Sequence, residues 1–208
     1  NGRFAPLGRR TPASDPALVR RRAAPLCDDG LMRRFGFVYN PTNDLAQEAW
    51  DQAAGWCSAN GVASWGYAAE DLGSIAASLP GSDILISLGG DGTFLRAAAA
   101  VAGTTIPILG INLGKVGFLA RAESFQLVET LNAIGAGRWS QQERMSLQAE
   151  VTRVDGAREQ FHALNDVVVA RGALPRVLKL DVSIGDLHLA TYVADGIIVA
   201  SPTGSTGY

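Results

Sequence analysis

One stretch near the middle of the chain predicts both local structure and chemistry: Ile84-Leu85-Ile86-Ser87-Leu88-Gly89-Gly90-Asp91-Gly92-Thr93-Phe94-Leu95. An apolar run suited to a buried strand leads directly into glycines around one acid, and a helix is expected to start at Thr93. Glycines after a strand let backbone N–H groups approach an anion, and a helix N-terminus adds favourable partial charge. Phosphate would repel a carboxylate, so Asp91 is expected to act as a base or to hold a metal. The stretch therefore points to phosphoryl transfer.

A purely structural interpretation of the same stretch stays open. Glycine serves a tight strand-to-helix turn, and an acid at this position can cap the helix. Two common nucleotide-binding signatures, the P-loop and the Gly-x-Gly-x-x-Gly motif, are missing from the sequence and give no support to either interpretation. The stretch Gly110–Val116 has three residues between its glycines and no Ser or Thr after Lys115, so it is not a P-loop. No Gly-x-Gly-x-x-Gly follows a strand either.

The sequence around this stretch alternates between strand and helix patterns. Strands are predicted at 35–41, 62–67, 83–88 and 106–112, and helices at 44–59, 70–79 and 93–102. Such alternation predicts a parallel sheet with helices on both of its faces. The sequence thus predicts an α/β nucleotide-binding domain over residues 34–121. The proline-rich residues 1–33, with the basic run at Arg20, are expected to form a flexible N-terminal extension.

The pattern changes after residue 121. A helix is predicted at 123–135, and only strands follow, at 146–153, 161–170, 178–184, 187–194 and 196–200. Asp155-Gly156 and Gly185-Asp186 are typical of hairpin turns. The fold class expected is therefore an α/β domain with a parallel sheet, followed by an all-β, sandwich-like domain over residues 122–208. The chain stops inside a Gly/Ser/Thr-rich motif, so this second domain is expected to be truncated and incomplete.

Composition and charge exclude several functional classes. The 208 residues carry a formal net charge of −2, whereas nucleic-acid-binding surfaces show a basic excess. No apolar run approaches the roughly 18 residues that span a bilayer. Cys27 and Cys57 are too few for a disulfide framework, which favours the reduced cytoplasm. His162 and His188 do not form a metal-ligand cluster, so no metal-binding residues are predicted.

Two further motifs contain polar residues that could bind a ligand. Asn165-Asp166 interrupts an apolar strand, and an amide beside a carboxylate can hold a pair of sugar hydroxyls. Asp195-Gly196 precedes a strand that leads into Ser201-Pro202-Thr203-Gly204-Ser205-Thr206-Gly207-Tyr208, where small residues and hydroxyls allow close approach to a polar ligand. A simple turn at the first motif and a plain loop at the second remain alternatives.

Taken together and in this order, the motifs resemble those of the NAD kinase family over residues 35–208. The glycine motif alone also occurs in lipid kinases and phosphofructokinase-like enzymes, whereas the later motifs are more specific. The stretches that carry the resemblance are Gly89–Ala98, Leu109–Leu119, Glu143–Leu147, Leu164–Val168, Asp195–Val199 and Pro202–Thr206.

This resemblance implies transfer of a phosphoryl group from ATP, or in some members polyphosphate, to the 2′-hydroxyl of the adenosine ribose of NAD. Mg²⁺ is expected to arrive with the nucleotide, and the protein to form a homodimer or homotetramer in which a neighbouring subunit helps to complete the NAD site. Asp91 matches the general base. The resemblance assigns ligand contacts to Gly89, Gly90, Gly92, Thr93, Asn165, Asp166, Arg176, Asp195, Thr206 and Tyr208.

The sequence departs from the family pattern in three places. Gly207 stands where the family has Ala, Val193 where some members have Arg, and Ala200-Ser201 where Ser-Thr is common, which removes a hydroxyl. The family also continues beyond Tyr208, so the chain as given is expected to lack full activity. Two other functions stay open: a lipid or sphingoid-base kinase that shares the glycine motif, and a non-catalytic NAD(H)-sensing module. A pure sensor would not need the acid at Asp91.

Overall fold

The computed structural model describes residues 32–114, 117–172 and 177–207. The predicted extension lies outside the described residues up to position 31, as do Lys115 of the second glycine-rich stretch and two predicted ligand contacts, Arg176 and Tyr208. The described chain divides into two compact units between Gln142 and Glu143.

The first unit is built around a five-stranded parallel sheet with the strand order β2-β1-β3-β4-β5. The α/β prediction is confirmed. The elements are β1 (Arg34–Tyr39), α1 (Asp44–Ala59), β2 (Ala63–Ala68), α2 (Leu72–Ser78), β3 (Ile84–Leu88), α3 (Asp91–Ala100), β4 (Ile108–Asn112), β5 (Ala122–Glu123) and α4 (Leu127–Gly135).

Helices cover both faces of this sheet, because alternate side chains of a strand point to opposite faces. On β1, Phe35 and Phe37 pack with α1 and α4, whereas Val38 packs with α2 and α3. On β3, Ile86 and Leu85 divide in the same way. The two central strands are therefore buried on both sides, as is typical of a parallel sheet.

Helix α4 belongs to this first unit by packing. Leu127, Leu131 and Ile134 are buried in the core cluster that contains Phe35 and Phe37. The compact unit thus extends beyond residue 121, while the domain boundary predicted there stays a prediction. The helix is also shorter than the predicted 123–135, because the two-residue strand β5 and a 3₁₀ turn at Ser124–Gln126 precede it. A strand of two residues has no periodicity by which a sequence could reveal it.

The second unit contains three antiparallel strand pairs, and its predicted all-β character is confirmed. Hairpin turns at Gly156 and Gly185 are confirmed too, since both glycines have the positive φ that such turns require, 86° and 58°. The pairs are β6 (Leu147–Thr152) with β7 (Arg158–Ala163), β8 (Asp166–Ala170) with β11 (Gly196–Ala200), and β9 (Leu178–Ile184) with β10 (Leu187–Ala194).

The single strand predicted at 161–170 is wrong, because the chain breaks at Leu164 and Asn165 into β7 and β8. Both carbonyl groups at the break bond to Ser201, which follows β11. The Leu164 carbonyl accepts a hydrogen bond from the Ser201 hydroxyl, and the Asn165 carbonyl accepts one from the Ser201 N–H at 2.8 Å. The polar residues that interrupt the apolar pattern therefore mark the point where the chain changes its strand partner, from β6 before the break to β11 after it.

Candidate active site

The carboxyl ends of the central strands bring three loops to one edge of the parallel sheet. Tyr39 of β1 lies beside Leu88 of β3, and Leu88 lies beside Ile111 of β4. From this edge the chain leaves β1 towards one side of the sheet and β3 towards the other. In open α/β sheets, a ligand crevice forms where the direction of the connections changes in this way.

Helix α3 begins in this region with its first amides unoccupied by helix bonds. Gly90 is the N-cap, with φ −89° and ψ −169°, and no side chain caps the helix. The first intrahelical hydrogen bond runs from the Phe94 N–H to the Gly90 carbonyl at 3.1 Å. The N–H groups of residues 91–93 therefore have no carbonyl acceptor within the helix. These N–H groups leave partial positive charge at this end of the helix.

The glycines around this helix start have different surroundings. Gly89 is buried under Thr93, whose Cβ would stand 2.9 Å from a Cβ placed on Gly89. A Cβ on Gly90 or on Gly92 would have no heavy atom within 4 Å, so both face open space. Thr93 itself is only 6% exposed. The backbone of Gly90 and Gly92 is thus accessible to a ligand, while the Thr93 side chain packs against Gly89. The ligand contacts predicted at Gly89 and Thr93 stay predictions.

Asp91 is half-buried, and its carboxylate is held by a separate loop. One oxygen, Oδ2, accepts a hydrogen bond from the Phe118 N–H at 3.1 Å, and the other, Oδ1, accepts one from the Leu119 N–H at 3.1 Å. The structural interpretation of Asp91 as a helix cap is therefore wrong. Asp91 is the first helical residue, and its side chain accepts hydrogen bonds from the main chain of Phe118 and Leu119 and not from its own helix. A carboxylate oxygen retains further lone pairs, so Asp91 can still accept a proton from a ligand.

In the second unit, the turn after β11 packs against the start of β8. Ser201 is 1% exposed, and its hydroxyl donates to the Leu164 carbonyl and accepts from the Gly204 N–H at 3.2 Å. Asp166 pairs with Ala200 in the register of the two strands. The structure therefore brings the Asn165-Asp166 motif together with the turn that contains Gly204.

The side chain of Asn165 has an unmatched acceptor at this place. Its Oδ1 is buried, and no group in the described part of the chain donates a hydrogen bond to it. Buried polar atoms of native proteins almost always have a partner. A ligand donor such as a hydroxyl or an amide would supply one here.

Asp195 lies at the other end of the same strand pair. The register pairs Gly196 with Ala170 at one end and Ala200 with Asp166 at the other. At about 3.3 Å per residue, the two ends are about 13 Å apart. Asp195 pairs instead with Arg171, through a carboxylate–guanidinium contact of 2.9 Å. The structure does not bring Asp195 together with Asn165, and its predicted role as a ligand contact stays a prediction.

Thr206 is exposed in the turn after β11. Its role as an NAD contact stays a prediction, and Arg176 and Tyr208 lie outside the described residues.

Sequence reasoning missed the role of Ser201. It treated Ser201 only as one of the hydroxyl residues of its motif, next to Ala200, where the NAD kinase family often has a hydroxyl that this chain lacks. The remaining hydroxyl, however, organises the whole turn. The motif Ser-Pro-Thr-Gly contains the signal, because a serine oxygen commonly accepts a hydrogen bond from an N–H two or three residues later.

Sequence reasoning also missed a contact between Asn112 and Glu123, at the two ends of the loop whose N–H groups bond to Asp91. Asn112 is 1% exposed, and its Nδ2 donates to the Glu123 carboxylate at 3.1 Å, which links the end of β4 to the end of β5. The sequence contained no local signal for this contact, since the two residues belong to different predicted elements.

Among the described residues, no three His, Cys, Asp or Glu side chains come together as metal ligands. Among the helices of the same residues, none combines the length and the hydropathy needed to cross a bilayer.

The sheet order and the connections on both faces place the first unit in the class of open α/β folds with a parallel sheet. Two family descriptions match this chain: "ATP-NAD kinase N-terminal domain" over residues 18–139 and "ATP-NAD kinase C-terminal domain" over residues 164–208. The chain therefore belongs to the NAD kinase family.

Curated relatives are consistent with this assignment. The chain is 43% identical over 148 residues to an NAD kinase of Natranaerobius thermophilus, covering 71% of this chain and 50% of that protein. It is 36% identical over 179 residues to an NAD kinase of Dehalococcoides mccartyi, covering 86% and 63%. It spans about half the length of the curated relatives it matches. A crystal structure of yeast NADH kinase complexed with NADH shares the fold, with a TM-score of 0.73, 24% identity, and coverage of 86% of this chain and 60% of that one.

Proposed function

We propose that the protein phosphorylates NAD to NADP, with ATP or polyphosphate as the phosphoryl donor. The observation that carries the proposal is the carboxylate of Asp91, held at the open amino end of α3 by two main-chain N–H groups. In the reaction, the adenosine 2′-oxygen of NAD attacks the terminal phosphorus while Asp91 accepts the hydroxyl proton. The bond from phosphorus to the leaving oxygen breaks, and ADP or shortened polyphosphate departs.

The donor phosphates are proposed to bind at the amino end of α3. The accessible backbone of Gly90 and Gly92 lets phosphate oxygens come close to amide N–H groups. The partial positive charge of this helix end also opposes the charge that builds up on the transferred group.

The NAD ribose and amide groups are proposed to bind at Asn165 and Asp166. The unmatched Oδ1 of Asn165 supports this, because a ribose hydroxyl or the nicotinamide NH₂ can donate to it. The adjacent carboxylate of Asp166 accepts a second hydroxyl. Thr206, Asp195, Arg176 and Tyr208 remain proposed contacts of the same dinucleotide.

Mg²⁺ is proposed to come with the nucleotide, where it would neutralise phosphate charge. Mg²⁺ usually keeps several waters while it is bound to phosphate oxygens, so it does not depend on a cage of protein ligands.

A direct test offers NAD and diacylglycerol in parallel to the purified protein, in the longest form that its gene encodes. With radiolabelled ATP and Mg²⁺, label should appear in NADP and not in phosphatidate. A matched reaction with polyphosphate then identifies the donor. Transfer to diacylglycerol would support the lipid kinase alternative. NAD binding by calorimetry, with no label transferred under any donor, would support the sensing module and overturn the proposal.

The homodimer or homotetramer expected from the family also remains a proposal. Sedimentation velocity of the same preparation tests it, since a species of two or four subunits is expected at micromolar concentration.

A further inference from the structure

Gly117 lies directly against the carboxylate of Asp91. A Cβ placed on Gly117 would collide with Oδ1 of Asp91 and stand 3.0 Å from its Cγ. The next two residues, Phe118 and Leu119, donate their N–H groups to the two oxygens of that carboxylate. The close approach at Gly117 is therefore what allows both hydrogen bonds to form together.

The loop that carries these donors is anchored near both of its ends. After the loop, the Arg121 N–H donates to the Gly110 carbonyl at 3.1 Å. Before it, the Asn112 side chain bonds to the Glu123 carboxylate at 3.1 Å. Gly110 packs closely too, because a Cβ there would stand 3.0 Å from the Cα of Ala120. The two N–H groups thus come from a segment tied to β4 and β5.

From this geometry we infer that Gly117 is a positioning residue for Asp91, and that the N–H groups of Phe118 and Leu119 set the rotation of its carboxylate. The inference rests on the proposed function, in which Asp91 accepts the proton of the ribose hydroxyl. A free aspartate rotates about two side-chain torsions. Two hydrogen bonds from the main chain of Phe118 and Leu119 favour one rotation and leave the remaining lone pairs of the oxygens for the hydroxyl.

Kinetics of the Gly117→Ala variant provide the first test. A methyl group there must push the carboxylate away from the two N–H groups, and a displacement of about 1 Å at a reacting group costs about 10²-fold in rate. We expect kcat to fall by about that factor, while the KM for NAD and the KM for ATP change less than about twofold, because Gly117 is not proposed to touch either ligand. Gly55→Ala is the control, since a Cβ at this exposed helical position meets nothing within 4 Å; it should keep wild-type kcat.

A second test does not depend on activity. In ¹H–¹⁵N spectra, Asp91→Asn and Gly117→Ala should each move the amide proton signals of Phe118 and Leu119 upfield, because each substitution weakens the hydrogen bonds that these N–H groups donate to the carboxylate. Gly55→Ala should leave both signals in place. Should Gly117→Ala fail to fold, the comparison of wild type with Asp91→Asn still decides.

The possible outcomes distinguish failure of the proposed function from failure of the positioning role of Gly117. Amide signals that respond to both substitutions, in a protein that does not phosphorylate NAD, would overturn the proposed function and leave the positioning geometry standing. Amide signals of Phe118 and Leu119 that are the same in Asp91→Asn as in the wild type would overturn the positioning inference. So would a Gly117→Ala variant with wild-type kcat, or one that loses only NAD affinity.

Discussion

The main-chain carbonyl of Asn165 lies directly against the α-carbon of Gly204. A Cβ on Gly204 would collide with this carbonyl and stand 2.5 Å from the Cα of Asn165. This contact joins the polar pair before β8 to the turn after β11, two motifs that are far apart in sequence. Position 204 therefore requires glycine because the two backbone segments touch there, and any side chain would collide with Asn165.

Gly204→Ala should destabilise the second unit, because a methyl group at 204 has only rigid backbone to displace. Overpacking of this kind costs about 1–3 kcal/mol. Urea unfolding followed by circular dichroism measures the change. Gly55→Ala is the matched control and should raise stability by about 0.5–1 kcal/mol, since it replaces glycine within an exposed part of a helix. Equal stability of the two variants would contradict the contact.

Asp91→Asn should abolish most turnover while sparing NAD affinity. The amide keeps an oxygen for one N–H donor but cannot take a proton, and loss of a general base costs about 10²–10⁴-fold in rate. Steady-state kinetics and calorimetry with NAD measure the two effects on the same preparation. A variant that keeps more than half of the wild-type kcat would exclude Asp91 as the base.

Asn165→Ala and Asp166→Ala should each weaken NAD binding more than ATP binding. Each removes a hydrogen bond to the dinucleotide in the proposed site, and a lost bond of this kind costs about 1–3 kcal/mol. Asp186→Ala is the control, because this exposed acid lies in the turn between β9 and β10 of the same unit. The proposal for this pair fails if calorimetry finds unchanged NAD affinity in both variants.

The buried thiol of Cys57 should make stability depend on pH in the alkaline range. Burial raises the pKa of this thiol from 9.0 to about 11, although a hydrogen bond with Ser64 opposes the rise. Between these two values the unfolded chain loses the proton while the folded chain keeps it. The free energy of unfolding should therefore fall as pH rises from about 9 to about 11. Below pH 9 the thiol is protonated in both states, so the stability that is lost at higher pH is fully present there.

Urea unfolding of wild type and Cys57→Ala at pH 8 and pH 10.5, under reducing conditions, measures this effect. Other groups also titrate in this range, so the informative quantity is the difference between the two pH dependences. Wild type should lose more stability than the variant between the two pH values. Parallel losses in both proteins would show that the thiol is not desolvated in the folded state.

Much of the fold could be predicted from local patterns. The apolar run that ends at Leu88 and the glycines after it predicted a buried strand followed by a helix, and both are present. The hairpin turns at Gly156 and Gly185 could also be predicted, because turns of this type need φ values that favour glycine. The two errors, β5 and the break at Asn165, occur where pairing with a distant segment determines the local conformation.

The sequence by itself determined the alternation of strands and helices, the glycine motif around Asp91 and the family to which these motifs point, because each depends on neighbours within a few residues. Only the tertiary structure decided which groups surround the reactive side chains. It places the N–H groups of Phe118 and Leu119 on Asp91, and it separates Asp195 from Asn165 by the length of a strand pair. Such contacts join residues distant along the chain, and strand register and sheet order, which no local pattern encodes, set their geometry.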